Sequence, residues 1–171
     1  MTGCTLPRNG LSAIDSMAHL RDAGCLVALG HPTEQRYLWK EATFAKKTSE
    51  QLRNAWHKYN CERYSFRLDE RTIVLDFDGE NAVDRWREMQ RKYGIRNTRI
   101  VRTPSGGLHV YLAIDPGTPI HHGVDRLREH GFPKVDVFSH RSGLITGPGS
   151  YRREGSGNVA GRYAWCTAHA E

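Results

Sequence analysis

The chain has 171 residues, 38% of them hydrophobic and 26% charged, which is enough for one domain with its own core and too apolar for wholesale disorder. No run approaches the roughly 20 apolar residues of a membrane helix, and the first ten residues lack the apolar segment of a secretory signal. A cytoplasmic compartment and no membrane partner are therefore expected. Lys and Arg number 25 against 19 Asp and Glu, a formal charge of +6, which favours an anionic partner such as nucleic acid or a nucleotide.

In chain order, residues 12–23 are predicted to form a helix with Ser12 as its cap, Asp15 at the capping-box position and Ile14, Met17, Ala18 and Leu20 as an apolar stripe. Residues 25–29 read as a short buried strand stopped by Gly30 and Pro32, and residues 31–47 as a polar, irregular stretch. Residues 49–59 form a second helix, with Leu52, Ala55, Trp56 and Tyr59 at helical spacing. Residues 62–68 alternate and are expected to pair with residues 72–78 across the turn Asp69-Glu70-Arg71. A helix over 81–93 turns Val83, Trp86, Met89 and Tyr93 inward and Arg85, Arg87, Arg91 and Lys92 largely outward. Strands follow at 98–102 and 108–114, a short helix at 123–130, and short strands at 134–138 and 144–146. The tail is expected to return as an edge strand near 163–166. Interleaved strands and helices give an α/β or α+β class, with one sheet covered by helices. Cys4, Cys25, Cys61 and Cys166 are scattered without a C-x-x-C, so a zinc ribbon or disulfide scaffold is not expected and the thiols read as reduced.

The strongest chemical signal is Ile73-Val-Leu-Asp-Phe-Asp-Gly79. Residues two apart on a strand share a face, so Ile73, Leu75 and Phe77 face the core while Asp76 and Asp78 project together from the other side. Adjacent carboxylates repel unless a cation or a shared proton sits between them, and oxygen ligands suit Mg²⁺ or Mn²⁺. Two further strands repeat the pattern. Leu108, Val110, Leu112 and Ile114 oppose His109 and Tyr111, and Val135 and Val137 oppose Asp136. If the strands are neighbours, Asp76, Asp78, His109 and Asp136 converge on one face. The loop Thr103-Pro-Ser-Gly-Gly107 runs directly into His109. Its Gly106 and Gly107 amides and its Thr103 and Ser105 hydroxyls read as a phosphate cradle, although a plain hairpin turn uses the same residues.

The order D-x-D, T-P-S-G-G-x-H-x-Y and V-D-V-F, followed by G-P-G-S, resembles the prim-pol domain, the bifunctional DNA primase/polymerase of the archaeo-eukaryotic primase superfamily found in plasmid, phage and mobile-element replication proteins. The resemblance covers roughly residues 26–151. It implies an RRM-like catalytic sheet flanked by helices with an additional N-terminal α/β part. It also implies one catalytic domain over 1–171, divided into 1–70, the core motifs at 71–151 and a tail at 152–171, excised from a longer replication protein. By the same resemblance Asp76, Asp78 and Asp136 hold two Mg²⁺ or Mn²⁺ ions, His109 contacts the nucleotide triphosphate, and no zinc is expected. The implied partners are a single-stranded DNA template, a primer, dNTP or NTP, and a C-terminal or separate helicase. Gly107 stands where the strict histidine motif has Ser, and Gly147-Pro148-Gly149-Ser150 replaces the usual P-P-S, leaving the role of Ser150 open. Arg141, Arg152 and Arg153 are candidates for the template backbone and equally for a solvated basic loop.

Two other readings compete. Leu75-Asp-Phe-Asp-Gly79 also looks like the nucleophile motif of haloacid-dehalogenase-type phosphatases. Glu80 follows the Gly, however, over seventy residues precede the motif, and no Asp-Asp pair occurs anywhere. A non-catalytic RRM-like nucleic-acid binder would stack bases on exposed aromatics of the sheet, but carboxylates on that face repel phosphates unless metal is bound.

Overall fold

A computed structural model describes residues 6–8, 10–32, 34, 36–96, 98–153 and 159–166. In chain order its elements begin with α1 (Ala13–Asp22), β1 (Val27–Leu29), α2 (Glu41–Phe44), α3 (Ser49–Lys58), β2 (Tyr64–Arg67), β3 (Thr72–Phe77) and α4 (Ala82–Tyr93). They continue with β4 (Arg99–Arg102), β5 (Leu108–Ala113), a 3-10 turn (Arg128–His130), β6 (Val135–Phe138), β7 (Leu144–Thr146), β8 (Tyr151–Arg153), β9 (Val159–Arg162) and β10 (Ala164–Trp165). The expected mixture of helix and sheet is present. It forms two units, Met1–Asp69 with Leu144–Tyr163, and Glu70–Gly143 with Ala164–Glu171.

In the first unit α1 and α3 start where caps satisfy their first amides. The Ser12 hydroxyl accepts from the Asp15 amide and donates to its carboxylate. Thr48 and Gln51 close a reciprocal capping box on α3. The stretch expected to be irregular contains α2, whose Phe44 is fully buried against Trp39 with ring centroids 5.3 Å apart. The expected pairing of residues 62–68 with 72–78 does not form. β2 is instead the middle strand of the antiparallel sheet β1-β2-β7. Tyr64, Ser65 and Phe66 are all buried, so β2 needs a neighbour on each edge and cover on each face, which a two-stranded hairpin cannot supply. β8 and β9 add an antiparallel hairpin that the sequence reading did not foresee.

The Gly-Pro-Gly-Ser segment is structural in this unit. Ser150 is fully buried, accepts from the Tyr64 amide at 3.0 Å and donates to the Tyr64 carbonyl at 3.2 Å. A Cβ on Gly147 would lie 2.1 Å from the Tyr64 ring, so only glycine lets the chain pass there. Cys61 and Cys166 are free thiols, whereas Cys25 is disulfide-bonded, which the scattered spacing did not indicate. Cys4 and residues 167–171 lie outside the described residues.

The second unit is a five-stranded antiparallel sheet in the order β10-β4-β5-β3-β6. The path β3-α4-β4-β5-turns-β6 with β3 and β5 central is the split β-α-β arrangement of RRM-like sheets. Ala82, Trp86 and Met89 of α4 bury themselves on Leu75, Phe77, Leu108, Val110, Val135 and Val137, with Phe132 completing the cluster. The inner rows are those the alternation predicts. Tyr93 departs from expectation and is 52% exposed. The helix expected at 123–130 is replaced by turns and the 3-10 segment, because Asp125 adopts φ +52°, a left-handed conformation that no α-helix admits. The expected tail strand is present as β10 on the β4 edge. Among the described residues no helix is long and apolar enough to cross a membrane.

Candidate active site

Strand register sets the site. In the β3–β5 ladder Asp76 lies opposite His109, and in the β3–β6 ladder it lies opposite Asp136. The three residues therefore form one row across three strands, on the face away from the aliphatic cluster. Directly opposed residues have Cα atoms only ~4.5–5.5 Å apart, so backbone pairing alone brings these side chains together. His109 is 5% exposed, and its Nε2 lies 3.5 Å from Asp76 Oδ2. Asp78 follows the end of β3, where its amide donates to the Lys134 carbonyl at 3.1 Å.

Asp78 senses its neighbours. Burial, and then the charges of Asp76 and Asp136, push the Asp78 carboxyl above its ordinary pKa, against the pull of Arg85 and His109. Among the described residues no three His, Cys, Asp or Glu side chains already close around one point as a metal cage. Mg²⁺ characteristically takes one or two protein carboxylates and completes its shell with water and substrate phosphate. The hard oxygen donors of Asp76, Asp78 and Asp136, in mutual repulsion, fit that kind of ion.

A raised carboxylate pKa means that ionising Asp78 costs the folded state free energy at pH values above that pKa and nothing well below it. Asp78→Asn is accordingly expected to raise the melting temperature of the metal-free protein at neutral pH. The gain should be small, because the carboxyl is only partly withdrawn from water at an exposed position, and it should vanish as pH falls below the carboxylate range. Thermal melts in EDTA at pH 7 and at a pH well below the ordinary carboxyl value of 3.8 check this. A variant less stable than wild type at pH 7 contradicts it.

The loop ahead of His109 is first of all a hairpin turn. The Thr103 amide donates to the Gly107 carbonyl at 2.9 Å, and the Gly106 amide donates to the Thr103 carbonyl at 3.0 Å. Those two amides thus serve the turn. Ser105 is exposed, with its Oγ 3.1 Å from Thr103 Oγ1. A Cβ on Gly107 would fall 2.4 Å from the Phe77 carbonyl oxygen, so glycine lets this loop lie directly against the end of the Asp76 strand.

Two contributors escaped the sequence reading. Arg85, expected to point outward, is half-buried over the Phe77 ring and donates to the carbonyls of Asp78, Pro133 and Lys134. It thereby ties the end of β3 to the start of β6. Asp125 donates its amide to Asp136 Oδ1 at 2.8 Å. Helical spacing describes only which side of α4 Arg85 occupies, and nothing local in the sequence points from Asp125 to Asp136. Arg141 is exposed beside His140, and Arg152 is exposed in the first unit. Arg153 of that unit is held by the Glu62 carboxylate through two contacts of 2.6 and 2.7 Å.

The site thus consists of an open antiparallel sheet with an apolar face, the row His109–Asp76–Asp136 on the other face and a glycine-rich turn on the same strands. The family model for Prim-Pol, the bifunctional DNA primase/polymerase N-terminal domain, matches residues 18–171, and the chain belongs to that family. No curated protein matches it. At the level of the family, the chemistry is nucleotidyl transfer of the primase/polymerase type, the substrates are DNA and nucleotides, and dependence on a metal is general.

Proposed function

We propose that this chain performs template-dependent nucleotidyl transfer, with both DNA primase and DNA polymerase activity. In this reading Asp76, Asp78 and Asp136 hold two Mg²⁺ or Mn²⁺ ions, and His109 with Ser105 steadies the nucleotide triphosphate. The observation that carries the reading is the registered row His109–Asp76–Asp136, with Asp78 just past the end of β3. Divalent ions held by Asp76, Asp78 and Asp136 would supply Lewis-acid activation of a hydroxyl and neutralisation of phosphate charge. The primer 3′-oxygen then bonds to the α-phosphorus, the bond from that phosphorus to the bridging oxygen breaks, and pyrophosphate departs with the electron pair while the hydroxyl proton passes to solvent. The contribution of the chain is to hold two carboxylates, Asp76 and Asp136, on rigid, paired strands and a third, Asp78, just past the end of β3, and to offer an imidazole and a hydroxyl to the charge that leaves.

Exposed Arg141 and Arg152 are the basic residues proposed to follow the template. Arg153 is engaged by Glu62 and is the weakest of the three candidates. A non-catalytic stacking surface gains no support here, since Tyr111 on the acidic face is only 2% exposed. The deciding assay extends a primed and an unprimed single-stranded template with Mg²⁺ or Mn²⁺ and with dNTPs or NTPs, beside hydrolysis of p-nitrophenyl phosphate. Metal-dependent incorporation is expected. Phosphate release from the chromogenic ester without incorporation would replace this reading by the phosphatase one.

His109→Ala separates phosphate binding from metal binding. A hydrogen bond to a charged group contributes about 1.5–3 kcal/mol, so nucleotide affinity should fall about tenfold or more. Mn²⁺ affinity of the nucleotide-free protein should change little. Calorimetric titrations with each ligand check this, and the opposite pattern would move His109 to the metal ligands.

A further inference from the structure

The connection from β5 to β6 does more than join two strands. Gly123 exchanges two backbone hydrogen bonds with Val137, each 2.9 Å, which lays this segment along the free edge of β6. Two residues later Asp125 takes φ +52°. In that conformation its amide donates to Asp136 Oδ1 at 2.8 Å, while its own Oδ1 accepts the Lys134 amide at 2.7 Å and its Oδ2 accepts from Arg128. The side chain thus fixes the backbone whose N–H grips the Asp136 carboxylate.

We infer that Asp125 is a positioning residue for the metal site, holding one oxygen of Asp136 so that the other is aimed at a divalent cation. The inference rests on the proposed role of Asp136 as a metal ligand. Three physical points support it. A backbone donor on a carboxylate oxygen restricts carboxyl rotation at no cost in charge, unlike a Lys or Arg partner, which would compete with a cation. The left-handed conformation is one that Asp and Asn tolerate far better than Ala, so the residue type matches the geometry. The Lys134 amide donates to Asp125, and Gly123, two residues before it, is paired with Val137, so the grip is built into the sheet edge.

Outer partners of metal ligands typically contribute about ten- to hundredfold in metal affinity. Mn²⁺ binding to the full chain, followed by electron paramagnetic resonance of the free ion, is expected to weaken at least about tenfold in Asp125→Ala. Asp125→Asn keeps both the acceptor oxygen and the tolerance for positive φ, and should restore Mn²⁺ affinity to within about twofold of wild type. Asp125→Gly keeps the backbone freedom without the acceptor, and should bind Mn²⁺ as weakly as Asp125→Ala. It keeps the test decisive if the alanine variant fails to fold. In extension assays the defect should appear as a raised half-saturating Mn²⁺ concentration more than as a lowered rate at saturation. Asp136→Ala is the reference. If Asp136→Ala loses Mn²⁺ affinity while Asp125→Ala and Asp125→Gly keep it, the positioning role is wrong and the metal site stands. If Asp136→Ala keeps Mn²⁺ affinity, the metal reading fails and the inference with it. An Asp125→Asn variant as impaired as Asp125→Ala also overturns the inference, because charge and not geometry would then be what the site needs.

Discussion

Asp76→Asn is expected to abolish nucleotide incorporation while leaving the fold unchanged. Asp76 is the only one of the proposed ligands flanked on both sides by other members of the site, His109 on β5 and Asp136 on β6. The amide keeps the volume and the strand pairing, so any loss is chemical. Stabilisation of transition-state charge by bound divalent ions amounts to several kcal/mol. With about 1.4 kcal/mol per factor of ten, the rate should fall on the order of a thousandfold or more. Single-turnover extension with Mn²⁺, paired with circular dichroism and thermal melting, checks both halves. Turnover within tenfold of wild type would remove Asp76 from the metal site.

Trp86→Ala is expected to cost the second unit about 3–5 kcal/mol of stability, the range for truncating a buried large aromatic. Trp86 is 3% exposed and meets the Phe77 ring edge-on at 5.9 Å. Among the described residues α4 is the single α-helix in this unit, so no second helix shares the load. A loss of that size is a large part of the total stability of an ordinary domain. Phe77 lies next to Asp76 on β3, so loosening its packing also loosens the strand that carries the carboxylate. Urea unfolding monitored by fluorescence and circular dichroism should show a clearly lowered midpoint. A shift worth less than about 1 kcal/mol would mean the α4 interface repacks around the missing ring.

The acidic site was legible because a strand writes its two faces into alternate letters. Asp76, His109 and Asp136 each stand between apolar neighbours, and the sheet places all three in one row. The start of α1 was legible for a similar reason, since Ser12 sits three residues from the Asp15 amide it serves. Pairing was not legible. Residues 62–68 and 72–78 are adjacent in sequence and were expected to pair, yet β2 pairs with β1 and β7. Partner choice depends on burial of Tyr64 and Phe66 from all sides, a property of distant segments. The helix expected at 123–130 failed at Asp125, whose side-chain bond to the Lys134 amide lies outside any helical repeat. Arg85 was misjudged because an outward helical position says nothing of a guanidinium reaching back to carbonyls at the strand ends.

The unequal order in which the two units draw on the chain bears on how the protein emerges from the ribosome. The three-stranded sheet receives β1 and β2 early, but β7 and the Ser150 clamp on Tyr64 come only after all of Glu70–Gly143 has been made. The four strands β3 to β6 and helix α4, by contrast, are contiguous. The nascent half bearing the acidic row can therefore close first, while Tyr64 and Phe66 wait for their partner strand with apolar surface uncovered. That interval is when the chain is most open to aggregation and to capture by chaperones.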